Sequence, residues 1–234
     1  MIGIIIQLAI SWLLIWLIEK GDLSFMGFRP NGERLKNFLF FMLLAGFCSS
    51  TGFFLRMYFG QERWELNPEF NLSLLGAGIW YNLKSVLFEE LIFRGVLFYL
   101  LIRKLGGLNA LLISSAAFGI YHWFSYELFN DPFNMLLVFL LTGAAGFVYG
   151  LAYLKTGSLY TPIAIHFGWN FVNAFVFSNG NTGPGILVEK LPLPQIQVPY
   201  FIYLLVNFLP LVLFFGSHLL FLYHRKDKII KRLR

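Results

Sequence analysis

The chain has 234 residues, of which 58% are hydrophobic and only 13% charged, with 28 Phe, 11 Tyr and 6 Trp. A soluble domain runs nearer ~45–50% apolar and ~25% charged, and so thin a charged shell could not keep this much apolar surface in solution. Disorder is excluded on the same grounds, and a disulfide scaffold is excluded by the single Cys48. With a mean hydropathy of +0.68, the composition is that of an all-α polytopic membrane protein, read as a single membrane domain over 1–234.

Seven apolar stretches have the length that a helical span needs, ~17–25 residues: Ile2–Ile18, Asn37–Tyr58, Leu72–Ile102, Leu108–Trp123, Pro132–Leu154, Ser158–Phe177 and Pro199–Tyr223. Turn-forming residues separate them, among them Gly106-Gly107, Asp131-Pro132 and the loop from Asn179 to Gly185. The first stretch has no basic n-region or small-residue cleavage site, so it reads as a retained span and not a signal peptide. Pro210 is expected to kink the last helix.

The net charge is +6, and six of the 18 basic residues are Arg225, Lys226, Lys228, Lys231, Arg232 and Arg234, close to the end of the chain. No basic patch with interleaved aromatics occurs elsewhere, so the expected partner of this tail is anionic membrane lipid and not nucleic acid. If the seven stretches alternate in direction, Lys20, Arg29, Arg34, Lys36, Arg103, Lys104, Lys155 and the tail all fall on one side. Arg56, Arg63 and Lys190 fall on the other, among Glu62, Glu65, Glu69, Glu127, Asp131 and Glu189. The positive-inside rule then puts the N-terminus outside and the C-terminus in the cytoplasm.

Several polar residues interrupt the apolar stretches. Lys84, Glu89, Glu90 and Arg94 lie in the third, His122 in the fourth, and His166, Asn170 and Asn173 in the sixth. A charge near the bilayer centre costs on the order of 2.5–3.5 kcal/mol on insertion scales, so these groups must pair, neutralise or line a wet cavity. Helical spacing places Glu90 beside Arg94 and lines His166, Asn170 and Asn173 along one face, while Glu89 is turned about 100° from Glu90. Counting ~1.5 Å per residue from the basic ends, Glu89, His122 and Asn170 each lie roughly 20 Å deep. One polar cavity within about seven transmembrane helices accommodates all of them.

A carboxylate beside a neutral imidazole can hold and deprotonate water, and an amide with a second imidazole can stabilise an oxyanion. The set fits hydrolysis of an amide bond without a Ser or Cys nucleophile. The same residues admit a second use: Glu89, His122 and His166 would suit a catalytic Zn2+ with an open water position. No H-E-x-x-H signature is present to select that option. Blander uses exist for each group. Glu90 and Arg94 could be a structural ion pair, His122 an interfacial ring beside Trp123 and Tyr126, and the Asn-bearing stripe interhelical glue. Lys84 would snorkel or pair with a carboxylate, and His218 and His224 would be interfacial.

Glu89-Glu90-x-x-x-Arg94, then Phe118-x-x-x-His122, then His166-x-x-x-Asn170 resemble the successive motifs of the CAAX prenyl protease and bacteriocin-processing family of intramembrane endopeptidases. The matching region runs from about Lys84 to Asn173, within a motif-bearing core of about 72–178; the chain shows one span fewer than the eight-span members. It implies that Glu89 activates water with His122, that His166 and Asn170 form an oxyanion hole, and that Glu90 and Arg94 are structural and electrostatic. The expected activity is cleavage near the C-terminus of a membrane-associated or lipidated peptide or protein in a prokaryotic cell membrane. The competing expectation is a non-catalytic protein, an immunity factor or a transporter, whose cavity binds an ion or partner. Against a transporter, the polar motifs do not recur in two pseudo-repeated halves.

Overall fold

The computed structural model describes residues 2–178, 183, 185–191, 196–225 and 227–229. Most of the Asn179–Gly185 loop, and Lys226, Lys231, Arg232 and Arg234 of the basic tail, lie outside the described residues. Among the described residues there are eight α-helices: α1 (Ile2–Glu19), α2 (Gly32–Phe59), α3 (Leu72–Arg94), α4 (Val96–Leu105), α5 (Gly107–Ser125), α6 (Pro132–Thr156), α7 (Tyr160–Phe171) and α8 (Tyr200–Tyr223). The protein is an all-α polytopic membrane protein.

Four helices, α1, α2, α6 and α8, are long and apolar enough to cross a membrane on their own. That is fewer than the seven stretches suggest, and the reason is chemical. Of the helices that fall short, α4 and α7 have only 10 and 12 residues, whereas α3 and α5, with 23 and 19, are long enough but carry polar-motif residues among their apolar ones. The third stretch is two helices, because the chain bends at Gly95. A Cβ there would sit 2.1 Å from the Leu91 carbonyl oxygen. The Phe93 carbonyl, in the last turn of α3, accepts a hydrogen bond from Ser114 Oγ of α5 at 2.8 Å, so the broken end is satisfied from a neighbouring helix. The sixth stretch leaves α geometry after Phe171 and continues as a π turn over Val172–Val176.

The chain divides into two compact units. The first comprises Met1–Asn37, Leu87–Ile163 and His218–Arg234. Within it α1 buries only Ile4, Ser11 and Ile15, a stripe at helical spacing, while Ile5, Ile10, Leu13 and Leu17 are exposed, as suits contact with lipid. The tightest packing is between α5 and α6. A Cβ at Gly119 would lie 2.7 Å from the Phe139 ring and 2.9 Å from its carbonyl oxygen, and one at Gly150 would lie 2.7 Å from Leu111. Small residues are what let helix backbones approach closely in lipid.

One end of this unit collects basic helix termini. Arg103 of α4 reaches Glu19 of α1 at 2.6 Å, and Lys155 of α6 meets Asp227 at 2.9 Å. Arg225 Nη1 donates to Asn37 Oδ1 at 2.9 Å, and Lys228 pairs with Glu33 of α2 at 2.5 Å. A short 3₁₀ turn, Leu23–Met26, is capped by Asp22 and ends in left-handed Gly27. It docks on the end of α6: Tyr153 donates to the Phe25 carbonyl and Ser158 to the Gly27 carbonyl, both at 2.9 Å. Gly27 and Gly157 both have φ near +65°, where a side chain is strained. The basic loops that sequence alternation assigns to one side are thus joined to one another here.

The second unit comprises Phe38–Val86 and Ala164–Ser217. It contains three short strands that the sequence reading did not anticipate: β1 (Trp64–Leu66), β2 (Phe177–Ser178) and β3 (Leu187–Glu189). β3 is central, antiparallel to β1 and parallel to β2. Phe53 of α2 stacks on Phe177 at 4.2 Å, and Trp64 meets Phe177 edge-on at 5.3 Å. Charges pair here too, Arg56 with Glu62 and Lys190 with Glu65, each at 3.2 Å. Pro210 is buried beside Gly52, whose Cβ would lie 3.1 Å from it.

Gly119→Ala is expected to destabilise the protein by about 1–3 kcal/mol through overpacking of α5 on α6. Gly76→Ala, where nothing lies within 4 Å, is the control. Thermal unfolding in detergent micelles reads both.

Candidate functional site

The first unit holds Glu89, Glu90 and Arg94 on α3 and His122 on α5. Arg94 and Glu90 are both fully buried and pair at 3.3 Å, four residues apart on one helix. Arg94 Nη2 also donates to the Gly146 carbonyl of α6 at 2.8 Å. The guanidinium carbon lies 4.4 Å from the Phe118 ring centroid, 5.2 Å from that of Tyr149 and 5.7 Å from that of Phe93. Weakly hydrated and planar, a guanidinium suits such an aromatic cage. A Cβ at Gly146 would come within 3.0 Å of Arg94 Nη2 and 3.1 Å of Phe118, so the glycine gives the arginine access to the α6 backbone. Gly146 and Tyr149 were not singled out from sequence. The detectable signal was Gly143, Gly146 and Gly150 on one helix.

His122 is buried, not interfacial. Its Nδ1 lies 2.8 Å from the Phe118 carbonyl oxygen. A carbonyl oxygen only accepts, so Nδ1 carries the proton, and in the neutral ring Nε2 is the acceptor or ligand atom. Phe118, Tyr121 and Tyr126 surround the imidazole, with ring centroids 4.6, 5.4 and 5.3 Å away. Glu89 is half-buried, and its charge acts on Tyr121, Tyr126, Tyr149 and Arg94. Glu89 therefore shares the neighbourhood of the rings that enclose His122. The one-turn step Phe118-x-x-x-His122 places a single phenyl ring against both Arg94 and the imidazole.

The second unit holds His166 and Asn170 on α7, together with Asn173. His166 is buried and Asn170 half-buried, one turn apart. Close contact with α2 positions this helix: a Cβ at Gly168 would lie 2.2 Å from the Met42 carbonyl oxygen, and one at Gly46 would lie 3.5 Å from the Gly168 carbonyl oxygen. Asn173 falls within the π turn over Val172–Val176. It donates to Ser49 Oγ of α2 and to the Trp169 carbonyl, an interhelical fastening. Lys84 sits over the Tyr81 ring at 5.7 Å. His218 is fully buried, which corrects the interfacial expectation. His224 is exposed and packs on Tyr223.

The zinc ligands considered from sequence, Glu89, His122 and His166, come from both units. Among the described residues, neither unit gathers three of His, Cys, Asp and Glu around a point where an ion could sit.

Residues 71–172 match the protein family described as type II CAAX prenyl endopeptidase Rce1-like. The match spans less than half of the chain and supports a CAAX protease assignment. The matched segment contains Glu89, Glu90, Arg94, His122, His166 and Asn170. No curated protein and no solved structure gives a significant match to the chain.

Arg94→Ala is expected to cost about 3–5 kcal/mol, because it strands the buried Glu90 carboxylate. The double variant Glu90→Leu/Arg94→Met removes both charges and is expected to recover most of that loss, measured as the yield and thermal midpoint of the detergent-purified protein.

Proposed function

We propose that this protein is an intramembrane protease of the CAAX type that hydrolyses a peptide bond near the C-terminus of a membrane-associated or lipidated peptide or protein, with water as nucleophile. The observation that carries the reading is the fixed tautomer of His122. Its Nδ1–H is committed to the Phe118 carbonyl, so Nε2 is the side that accepts a hydrogen bond, in the neighbourhood of the Glu89 carboxylate. Two acceptors can hold both hydrogens of one water and leave an oxygen lone pair for the scissile carbonyl. Glu89 takes a proton as the C–O bond forms and returns it to the amine as the C–N bond breaks. His166 and Asn170 are assigned as hydrogen-bond donors to the oxyanion. Glu90 and Arg94 hold α3 in place and set the local field.

No step in this scheme runs through a metal. The basic termini gathered in the first unit support placement of that end, with the C-terminal tail, on the cytoplasmic side, and so of the N-terminus outside.

Glu89→Gln preserves shape but cannot accept the proton, so cleavage of a lipidated reporter peptide is expected to fall by at least about 10²-fold. Asn170→Ala is expected to lower kcat by about 10²–10³-fold with little change in KM. Both variants should keep the parent's thermal midpoint. Dialysis against a chelator is expected to leave the rate unchanged. Loss restored specifically by Zn2+ would instead make Glu89 and His122 ligands.

A further inference from the structure

At the basic end of the first unit lies a cavity of about 510 Å3, lined by the loop after α1, the first turns of α2, the end of α6 and the tail. The volume is within the ~300–1,000 Å3 range of small-ligand sites. Its charged residues are Asp22, Arg29, Glu33, Arg34 and Lys228. Asp22 is engaged in capping the Ser24 N–H at 2.7 Å, and Glu33 is paired with Lys228. Among the described residues, no carboxylate forms an ion pair with Arg29 or Arg34. Arg34 is held in position by a hydrogen bond to the Arg29 carbonyl and by its own N–H to Asn31 Oδ1.

We propose that this cavity binds the phosphate-bearing headgroup of an anionic phospholipid, with Arg29 and Arg34 on the phosphate. Two guanidiniums provide forked donors matched to phosphate oxygens, and with both carboxylates engaged the cavity presents net positive charge to a ligand. The setting selects a lipid over a free phosphate ester. Leu35, beside Arg34, is 55% exposed. At the end of α1, Trp16 is exposed with the Lys20 ammonium over its ring at 4.6 Å, the arrangement of side chains at headgroup level. Asn31, Thr156 and Gly157 complete a polar floor suited to glycerol hydroxyls.

The site lies among loops that hold α1, α2, α6 and the tail together, so an occupant would reinforce the unit that carries Glu89 and His122. The proposal does not depend on peptidase activity.

The full chain, purified in a neutral maltoside detergent, is equilibrated with equal amounts of phosphatidylglycerol and phosphatidylcholine, and retained lipid is read by native mass spectrometry. The parent is expected to prefer phosphatidylglycerol by on the order of 10-fold, and Arg29→Gln/Arg34→Gln is expected to lose that preference. The Arg29→Lys/Arg34→Lys variant restores most of it, which separates charge from misfolding. Glu33→Gln removes the carboxylate that competes for Lys228 and is expected to strengthen the preference several-fold. A double Gln variant that keeps the parent's preference, or weaker binding in Glu33→Gln, overturns the proposal. Soluble glycerol phosphate that displaces the lipid at equal concentration overturns the assignment to a lipid.

Discussion

Arg94 is the group on which the rest of the first unit depends. A guanidinium with no exposed surface must have its charge and its donors answered by the protein. Here three helices answer the charge and the two terminal nitrogens, though not Nε: α3 supplies the Glu90 carboxylate, α6 the Gly146 carbonyl, and α5 the Phe118 ring. Phe118 then does two further things. Its carbonyl fixes the tautomer of His122, and its ring packs against the imidazole. Burying an ion pair yields little net stability when apolar residues could fill the same space. Its value here is positional, because a structure that must satisfy Arg94 has few ways to arrange α3, α5 and α6.

That constraint would be unusable without glycine. Gly146 lets Arg94 reach the α6 backbone, Gly119 and Gly150 let α5 lie against α6, and Gly168 brings α7 onto the backbone of α2. In lipid the apolar solvent gives little reason for two Leu-rich faces to associate, so close backbone approach and buried polar contacts must do more of the work. The first unit uses both at one crossing. The second combines the Gly168 approach with the Asn173–Ser49 fastening, so α7, which bears His166 and Asn170, is held by the same kind of contact.

The fold class could be read directly from composition, since no other solvent accepts so much apolar surface. Glu90–Arg94 was legible because a helix places residues four apart together whatever surrounds it. Other features were hidden for equally physical reasons. The break at Gly95 depends on the crowding of one carbonyl, and an apolar stretch with a glycine in it looks continuous. The π turn after Phe171 adds residues to a turn without any change of composition. The three strands are two or three residues long, too short for alternation to register. His218 looked interfacial from its position near the end of α8, but burial is decided by neighbours that are distant in sequence.

The spans show the same trade between function and lipid. α1, α2, α6 and α8 are apolar enough to enter a membrane unaided, and none carries a residue assigned to the chemistry. The polar motifs lie on α3, α5 and α7, of which α3 is interrupted by charge and α7 is short. A helix that carried both duties would bear the full insertion cost of its ionisable groups. Dividing the duties lets the apolar helices provide the membrane anchorage, while buried neighbours satisfy polar groups that could not face lipid. The break at Gly95 follows from this division, since it ends the polar helix one residue after Arg94 and starts α4, whose last turn returns the chain to the basic end through Arg103 and Glu19.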